Sequence, residues 1–306
     1  MARFEINILG CGAATPSLRH LPACQVIDYR DRLLMVDAGE GAQLSMRRQR
    51  LKYSRLTDIF ISHLHGDHFL GVLGLISTMS LHEKSGTVTI HTFEQGAELL
   101  QTIFKTILRD PSFDLRYNII DPHKGGLVLD DKNFTVTAFP LYHKIDCVGY
   151  RFDEKPKLRH IKGDMAAFHK IPHYRIPEIK AGADFVTDDG RVIPNAVLTT
   201  DADPSVSYAY ASDTAFNPAV AEAVRGVDLL YHEATYCDDF LAKAAERGHS
   251  TASQAAEIAR MAGVGQLLLG HFSKTNIDET PLLEQARAIF PNTLLASEGM
   301  KIELLP

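Results

Sequence analysis

The sequence contains no run of about 18 consecutive apolar residues, so it offers no transmembrane helix. The opening segment, Met1 to Gly10, lacks the basic start and long apolar stretch of a secretory signal, and a cytoplasmic location is the expectation. There is no paired-cysteine motif. Cys11, Cys24, Cys147 and Cys237 stand far apart, which argues against a thiolate zinc site and against a disulfide framework. Buried, reduced thiols are the plainer reading. Positive charge is not in excess either: the formal net charge is −6. A protein that grips nucleic acid over its whole surface is usually basic. If the substrate is a nucleic acid, it must therefore be held by local patches and bound cations. No internal repeat and no low-complexity segment is present.

What is there suits a globular enzyme. The chain has 306 residues and is 45 % hydrophobic, enough for a large core in one domain. Fourteen histidines are a surplus that metal ligation would explain. Strands are expected at 4–9, 24–29, 33–37, 58–62, 88–91, 115–120, 127–129, 134–139 and 148–152. Helical patterns are expected up to about Gln49, over 69–81 and over 95–108. Regular order returns with a strand at 207–211. Helices follow near 217–224, 237–247 and 251–262, with strands at 229–232 and 267–270 and two short strands near Leu294 and at 301–304. Strands in runs and alternating with helices point to a layered α/β architecture.

Residues from Asp153 to Asp203 read differently. Periodicity is weak, and Lys155, Lys157, Arg159, His160, Lys162, His169, Lys170, His173 and Arg175 crowd together. Composition alone fits a basic extension from the core and a long solvated connection equally well.

The strongest chemical signal is His63-Leu64-His65-Gly66-Asp67-His68. Residues two apart cannot share a helix face, but they share one side of an extended segment. The motif follows an apolar strand, where a loop is free to aim its side chains. Imidazoles with a carboxylate suit zinc and related divalent ions. Four local ligands cannot complete a two-metal site. Three polar residues just beyond other apolar strands are candidates: His143, Asp213 in Ala-Ser-Asp-Thr, and His271 in Gly-His-Phe-Ser.

These residues resemble the metallo-β-lactamase superfamily and, within it, the ribonuclease Z family of tRNA 3′-end processing endonucleases. The likeness runs through residues 9–16, 36–43, 61–68 and 211–214, His232-Glu233-Ala234-Thr235, Gly248-His249-Ser250-Thr251 and His271-Phe272-Ser273. The resemblance implies a four-layer αββα sandwich of the metallo-β-lactamase type. It would be a single domain over 1–306, with a protruding basic arm at 153–203 inserted in it. Two zinc ions are implied, and manganese also suits these side chains. His63, His65 and His143 would hold one metal and Asp67, His68 and His271 the other. Asp213 would bridge them, and Asp37 would orient a ligand histidine through its free ring N–H.

The implied reaction is removal of the 3′ trailer from precursor tRNA. A metal pair brings the pKa of water to near 7. Asp67 is expected as general base or orienter for in-line attack. His249, polarised by Glu233, is expected to protonate the leaving sugar oxygen. Taken singly, His249 reads as a helix-start residue and Glu233 as a strand-end carboxylate. The arm, through Lys157, Arg159, Lys162 and Arg175, is expected to grip tRNA phosphates, from the other subunit of a homodimer. Arg19 and Lys274 are further substrate-binding candidates, each at a departure from the family. Pro16-Ser17-Leu18-Arg19-His20 lacks the lysine of a loop that senses the RNA 3′ end. Lys274 stands where arginine is common. Ile171 to Pro177 replaces a Gly-Pro-rich arm tip. The alternative is a related hydrolase of a small phosphodiester or other ester, with the arm as a lid.

Overall fold

The computed structural model describes residues 4–108 and 111–305. Two seven-stranded sheets form its centre. The first is built from β1 (Phe4–Gly10), β2 (Cys24–Tyr29), β3 (Arg32–Ala38), β4 (Leu56–Phe60), β5 (Thr87–Thr92) and β6 (Asp114–Ile119), in that order. The last strand, β18 (Lys301–Leu304), pairs beside β1. The second sheet runs β7 (Gly126–Asp130), β8 (Phe134–Pro140), β9 (Val148–Glu154), β14 (Ser207–Ala211), β15 (Leu229–Glu233), β16 (Gln266–Gly270) and β17 (Thr293–Leu295).

Period-two alternation explains the layering. In β3, Leu34 and Val36 join Phe134, Tyr150, Phe152 and Tyr208 in the core between the sheets. Leu33 and Met35 point the other way, against Met46 of α1 (Ala42–Arg48), Leu75 of α3 (Gly71–Leu81) and Leu100 of α4 (Glu94–Ile107). On the second sheet, α8 (Ala219–Ala223), α10 (Ala252–Ala262) and α11 (Thr280–Ile289) supply the outer layer through Val220, Ala255, Ala259 and Leu282. The small alanine side chains let α10 lie close to the strands. The result is the expected four-layer αββα sandwich, and no helix among the described residues is long and apolar enough to cross a membrane.

Three features differ from the sequence reading. The helix expected over 69–81 is two: α2 (Gly66–Phe69) and α3. Gly71 stands at the break because a Cβ there would lie 2.0 Å from the Gly39 carbonyl oxygen. The helix α11 has a thin apolar face, with only Leu282 and Ala286 buried, and the periodicity did not single it out.

The segment between β9 and β14 is ordered rather than a featureless connection. Two-residue strands pair as β10 (His160–Ile161) with β13 (Thr199–Thr200) and β11 (Phe185–Val186) with β12 (Val192–Ile193). With α5 (Gly163–Phe168), α6 (Ile176–Lys180) and α7 (Asn195–Leu198), they enclose a small core of Ile171, Ile179, Phe185, Ile193 and Leu198. The expectation that this stretch is basic needs correction. Eight lysines and arginines face nine aspartates and glutamates over 153–203. The antiparallel fold-back sets its basic start against its acidic end. Arg159 meets Asp201 at 2.7 Å and His160 meets Asp203 at 3.1 Å.

Candidate metal centre and proton donor

The site lies where strand ends converge. In the second sheet β14, β15 and β16 are parallel, so their C-terminal ends share one rim. Asp213 stands two residues past β14, Glu233 ends β15, and His271 directly follows β16. In the first sheet β3 and β4 are parallel, which sets Asp37 beside the extended segment after β4 that carries His63 and His65. Asp67 and His68 fall in the single turn of α2. His143 follows β8 by three residues.

All seven expected ligands are brought together. Donor atoms of His63, His65, His143 and Asp213 lie within 4.8 Å of one another, as do those of Asp67, His68 and His271. Asp213 stands between the groups. Its Oδ2 is 3.7 Å from His63 Nε2 and 3.8 Å from His143 Nε2, and its Oδ1 is 3.1 Å from His271 Nε2 and 3.5 Å from His68 Nε2.

A set of outer hydrogen bonds fixes which ring nitrogens face inward. His63 Nδ1 donates to Ser62 Oγ at 3.0 Å, and His68 Nδ1 to Asp37 at 2.8 Å. His143 Nδ1 donates to the Gly248 carbonyl at 2.8 Å, and His271 Nδ1 to Thr235 Oγ1 at 2.9 Å. With Nδ1 protonated, each Nε2 is a bare lone pair. Two of these lone pairs meet one another: His68 Nε2 and His271 Nε2 are 3.3 Å apart, while His63 Nε2 lies 3.0 Å from His65 Nδ1. The buried Asp213 Oδ1 also lacks a hydrogen-bond donor. Lone pairs facing lone pairs around an unsatisfied carboxylate are unfavourable unless cations sit among them. The donor set, five imidazoles and two carboxylates, fits a pair of divalent ions of the zinc or manganese kind.

Asp37 is fully buried and accepts from the Ser62 amide at 2.7 Å, and from Ser62 Oγ, Tyr210 OH and His68 at 2.8 Å each. It thereby ties a β4-end residue, a helix-α2 ligand and a strand of the second sheet to one carboxylate. Asp67 accepts from the Ala14 amide at 2.6 Å. Burial alone would raise its carboxyl, but the adjacent His271 and His68 rings hold it well below the usual carboxylate range. Burial, together with the neighbouring His68, His65 and His143 rings, keeps His63 neutral by pulling it far below its ordinary value.

Beside this cluster stands a second unit. Glu233 is fully buried, and its Oε1 accepts from His249 Nδ1 at 2.8 Å. The Thr214 amide, Thr235 amide and Thr235 hydroxyl donate to its two oxygens at 3.0, 3.0 and 2.7 Å. Burial pulls the His249 ring down, but the Glu233 carboxylate outweighs it and pushes the ring up to about 9. The charge of Glu233 is held in turn: burial raises its carboxyl, and His249 overcomes that to set it low. His249 is placed by two local devices. Gly248, in the left-handed region at φ 74°, turns the chain out of α9 (Leu241–Arg247). Thr251 and Gln254 close a capping box at the start of α10.

His65, Asp67, His143, Asp213, His249 and His271 line one cavity of about 990 Å³. Of the expected substrate-binding cations, only Lys274 lies on its wall. Arg19 is held by Glu279, with its Nη1 donating to the Asn276 carbonyl. Lys157 pairs with Glu154, Arg159 with Asp201 and Arg175 with Glu178, and Lys162 donates to the Ala196 and Val197 carbonyls. Sequence reasoning missed the outer partners Ser62, Thr235, Gly248 and Ala14, and the wall residues Lys144, Tyr236, Lys243 and Arg247. Ser62, Thr235, Gly248 and Ala14 all lie inside the quoted motifs, so the motifs carried a signal for them; the wall residues depend on tertiary approach.

Comparison with known proteins agrees with this geometry. A family model described as Anti-Pycsar protein Apyc1 matches residues 4–143, and one described as Beta-lactamase superfamily domain matches residues 195–272. Ribonuclease Z of Parabacteroides distasonis is 48% identical over 304 residues, covering 99% of this chain and 100% of that protein. Ribonuclease Z of Bacteroides fragilis is 47% identical with the same coverage. Among solved structures, the short form of human tRNase Z superposes with a TM-score of 0.70 at 25% identity, covering 99% of both chains. A metallo-β-lactamase fold protein from Bacillus subtilis, YhfI, shares the fold with a TM-score of 0.70 at 18% identity.

Proposed function

The chain belongs to the ribonuclease Z family of metallo-β-lactamase-fold nucleases, and from that premise we propose that it removes the 3′ trailer of precursor tRNA by zinc-dependent hydrolysis of one phosphodiester. The observation that carries this reading is the His249–Glu233 pair, 2.8 Å apart, beside seven converging histidine and aspartate side chains, five of which line one cavity with His249. A metal centre alone fits many ester hydrolases. A buried carboxylate charging a histidine beside that centre adds a proton donor for a poor leaving group.

In this reading His63, His65 and His143 would hold one cation and Asp67, His68 and His271 the other, with Asp213 shared between them. A bound pair supplies an activated water and neutralises charge on the phosphate. The protein's own residues do the rest. Asp37, Ser62, Thr235 and Gly248 keep the ligand rings oriented. Asp67, fixed by the Ala14 amide, orients the attacking water. His249 gives the proton on its Nε2 to the leaving sugar oxygen, while Glu233 stabilises the imidazolium until then. Cytoplasmic action, a homodimer, and clamping of the tRNA body by the 153–203 segment belong to the same reading. That segment occupies the place between β9 and β14 from which such an arm would reach. Its cations Lys157, Arg159, Lys162 and Arg175 would exchange their present partners for phosphates.

The test is product mapping on a precursor tRNA with a 3′ trailer, paired with elemental analysis of the purified protein. One defined cut and two zinc ions per chain are expected. Hydrolysis of small diesters with the precursor left whole would favour the small-ester alternative.

A further inference from the structure

The basic residues singled out in the 153–203 segment for phosphate contact, Lys157, Arg159, Lys162 and Arg175, already have partners, whereas the cavity wall carries cations without one. Among the described residues, Lys144, Lys243, Arg247 and Lys274 line the cavity, and none has an ion pair or a hydrogen-bonded side-chain partner there. Two of them, Lys243 and Arg247, are four residues apart in α9 and so share one face of it. Aromatic surface adjoins them. The Lys243 ammonium lies 5.3 Å from the Tyr236 ring centre and 5.7 Å from that of Phe240. Phe240 is 48% exposed, so its ring is accessible from solvent. The Tyr236 ring is 6.1 Å from the His249 ring, and His249 follows Arg247 by two residues.

In-line displacement places the nucleophile and the leaving oxygen on opposite sides of phosphorus. The proton donor must stand on the leaving side. The wall next to His249 therefore faces the nucleotide whose sugar carries the leaving oxygen. An exposed aromatic ring beside unpaired cations is what a single-stranded nucleotide binds: its base stacks and its phosphates meet the charges. We propose that Tyr236, Phe240, Lys243 and Arg247 form the subsite for that nucleotide, with its base on the Phe240–Tyr236 surface and its backbone phosphates at Lys243 and Arg247. The assignment rests on the reading of His249 as proton donor in RNA cleavage.

The test compares Phe240→Ala, Lys243→Ala and Arg247→Ala with wild type on a 3′-extended precursor tRNA and on bis(p-nitrophenyl) phosphate, which lacks a nucleotide on either side. Loss of kcat/KM on the RNA should exceed loss on the small diester by about tenfold or more. Each cation variant should also lower the slope of log affinity against log salt by about 0.7, the single-strand value for one phosphate. A 2-aminopurine at the leaving-side nucleotide should lose its stacking quench in Phe240→Ala. The distant variant Arg116→Ala serves as the unchanged control. Equal losses on both substrates, an unaltered salt slope or a retained quench overturns the subsite. Wild-type protein that leaves the precursor whole overturns the functional reading and the subsite with it. Wild-type cleavage with unchanged variants overturns the subsite alone.

Discussion

The cavity and the 153–203 segment look alike in composition and behave oppositely in structure. Both are rich in histidine and cation. In the cavity, ring protons go to fixed acceptors behind the site, and the bare nitrogens are left facing each other around Asp213. In the segment, charges find acids within the same small unit, as Arg159 does with Asp201. Chemical readiness is therefore a matter of what a group is denied. The ligand nitrogens and the wall cations lack acidic partners, whereas Lys157, Arg159 and Arg175 of the segment have them.

The hardest blow to this contrast would come from Asp213. Asp213→Ala should bind fewer than two metals per chain and lose RNA cleavage by more than about 10⁴-fold, since both cations share that carboxylate. Full metal content by elemental analysis would sink the bridging role. Next, His249→Ala should keep both metals while kcat falls by about 10²–10⁴-fold, the range for losing a general acid. Loss of metal in that variant would make His249 a ligand instead. Asp37→Ala should weaken metal affinity by about 10–100-fold, measured by competition with a chelator, because it acts on the metal site through the ligand His68 and its neighbour Ser62. Wild-type affinity would show that the outer partners are incidental. The smallest effect is expected in the segment. Asp201→Ala removes the exposed partner of Arg159 and should cost less than about 1 kcal/mol in urea unfolding. A larger cost would mean that this pair holds the segment together and is not available for exchange with phosphate.

The sequence made the two-sheet scaffold legible because its strands carry dense apolar alternation. The strand at 207–211 and the terminal one at 301–304 coincide with β14 and β18. The ligand-bearing positions were legible because a polar side chain directly after an apolar strand has few structural uses. What stayed hidden depended on contacts across the chain. Gly248 serves His143 through a carbonyl, which no residue type announces. The near-equal count of acids and bases in 153–203 is written in the sequence itself; what folding adds is the meeting of Arg159 and His160 with acids some forty residues later, when β10 and β13 pair. The elements there are two to six residues long, too short for periodicity to mark. Lys243 and Arg247 read as ordinary solvent-facing residues until α9 is placed beside His249.

Neighbouring parallel strands deliver Asp213, Glu233 and His271, and the ladder aligns Ala211 with His232 and Glu233 with Gly270. A slip of one residue would turn every side chain on the moved strand to the opposite side of the sheet. Bridge, proton relay and ligand would then be lost in a single event instead of one by one. The enzyme has no graded route to partial competence through this sheet: its catalytic fraction should follow its folded fraction through denaturation, with no long-lived, half-capable form between them.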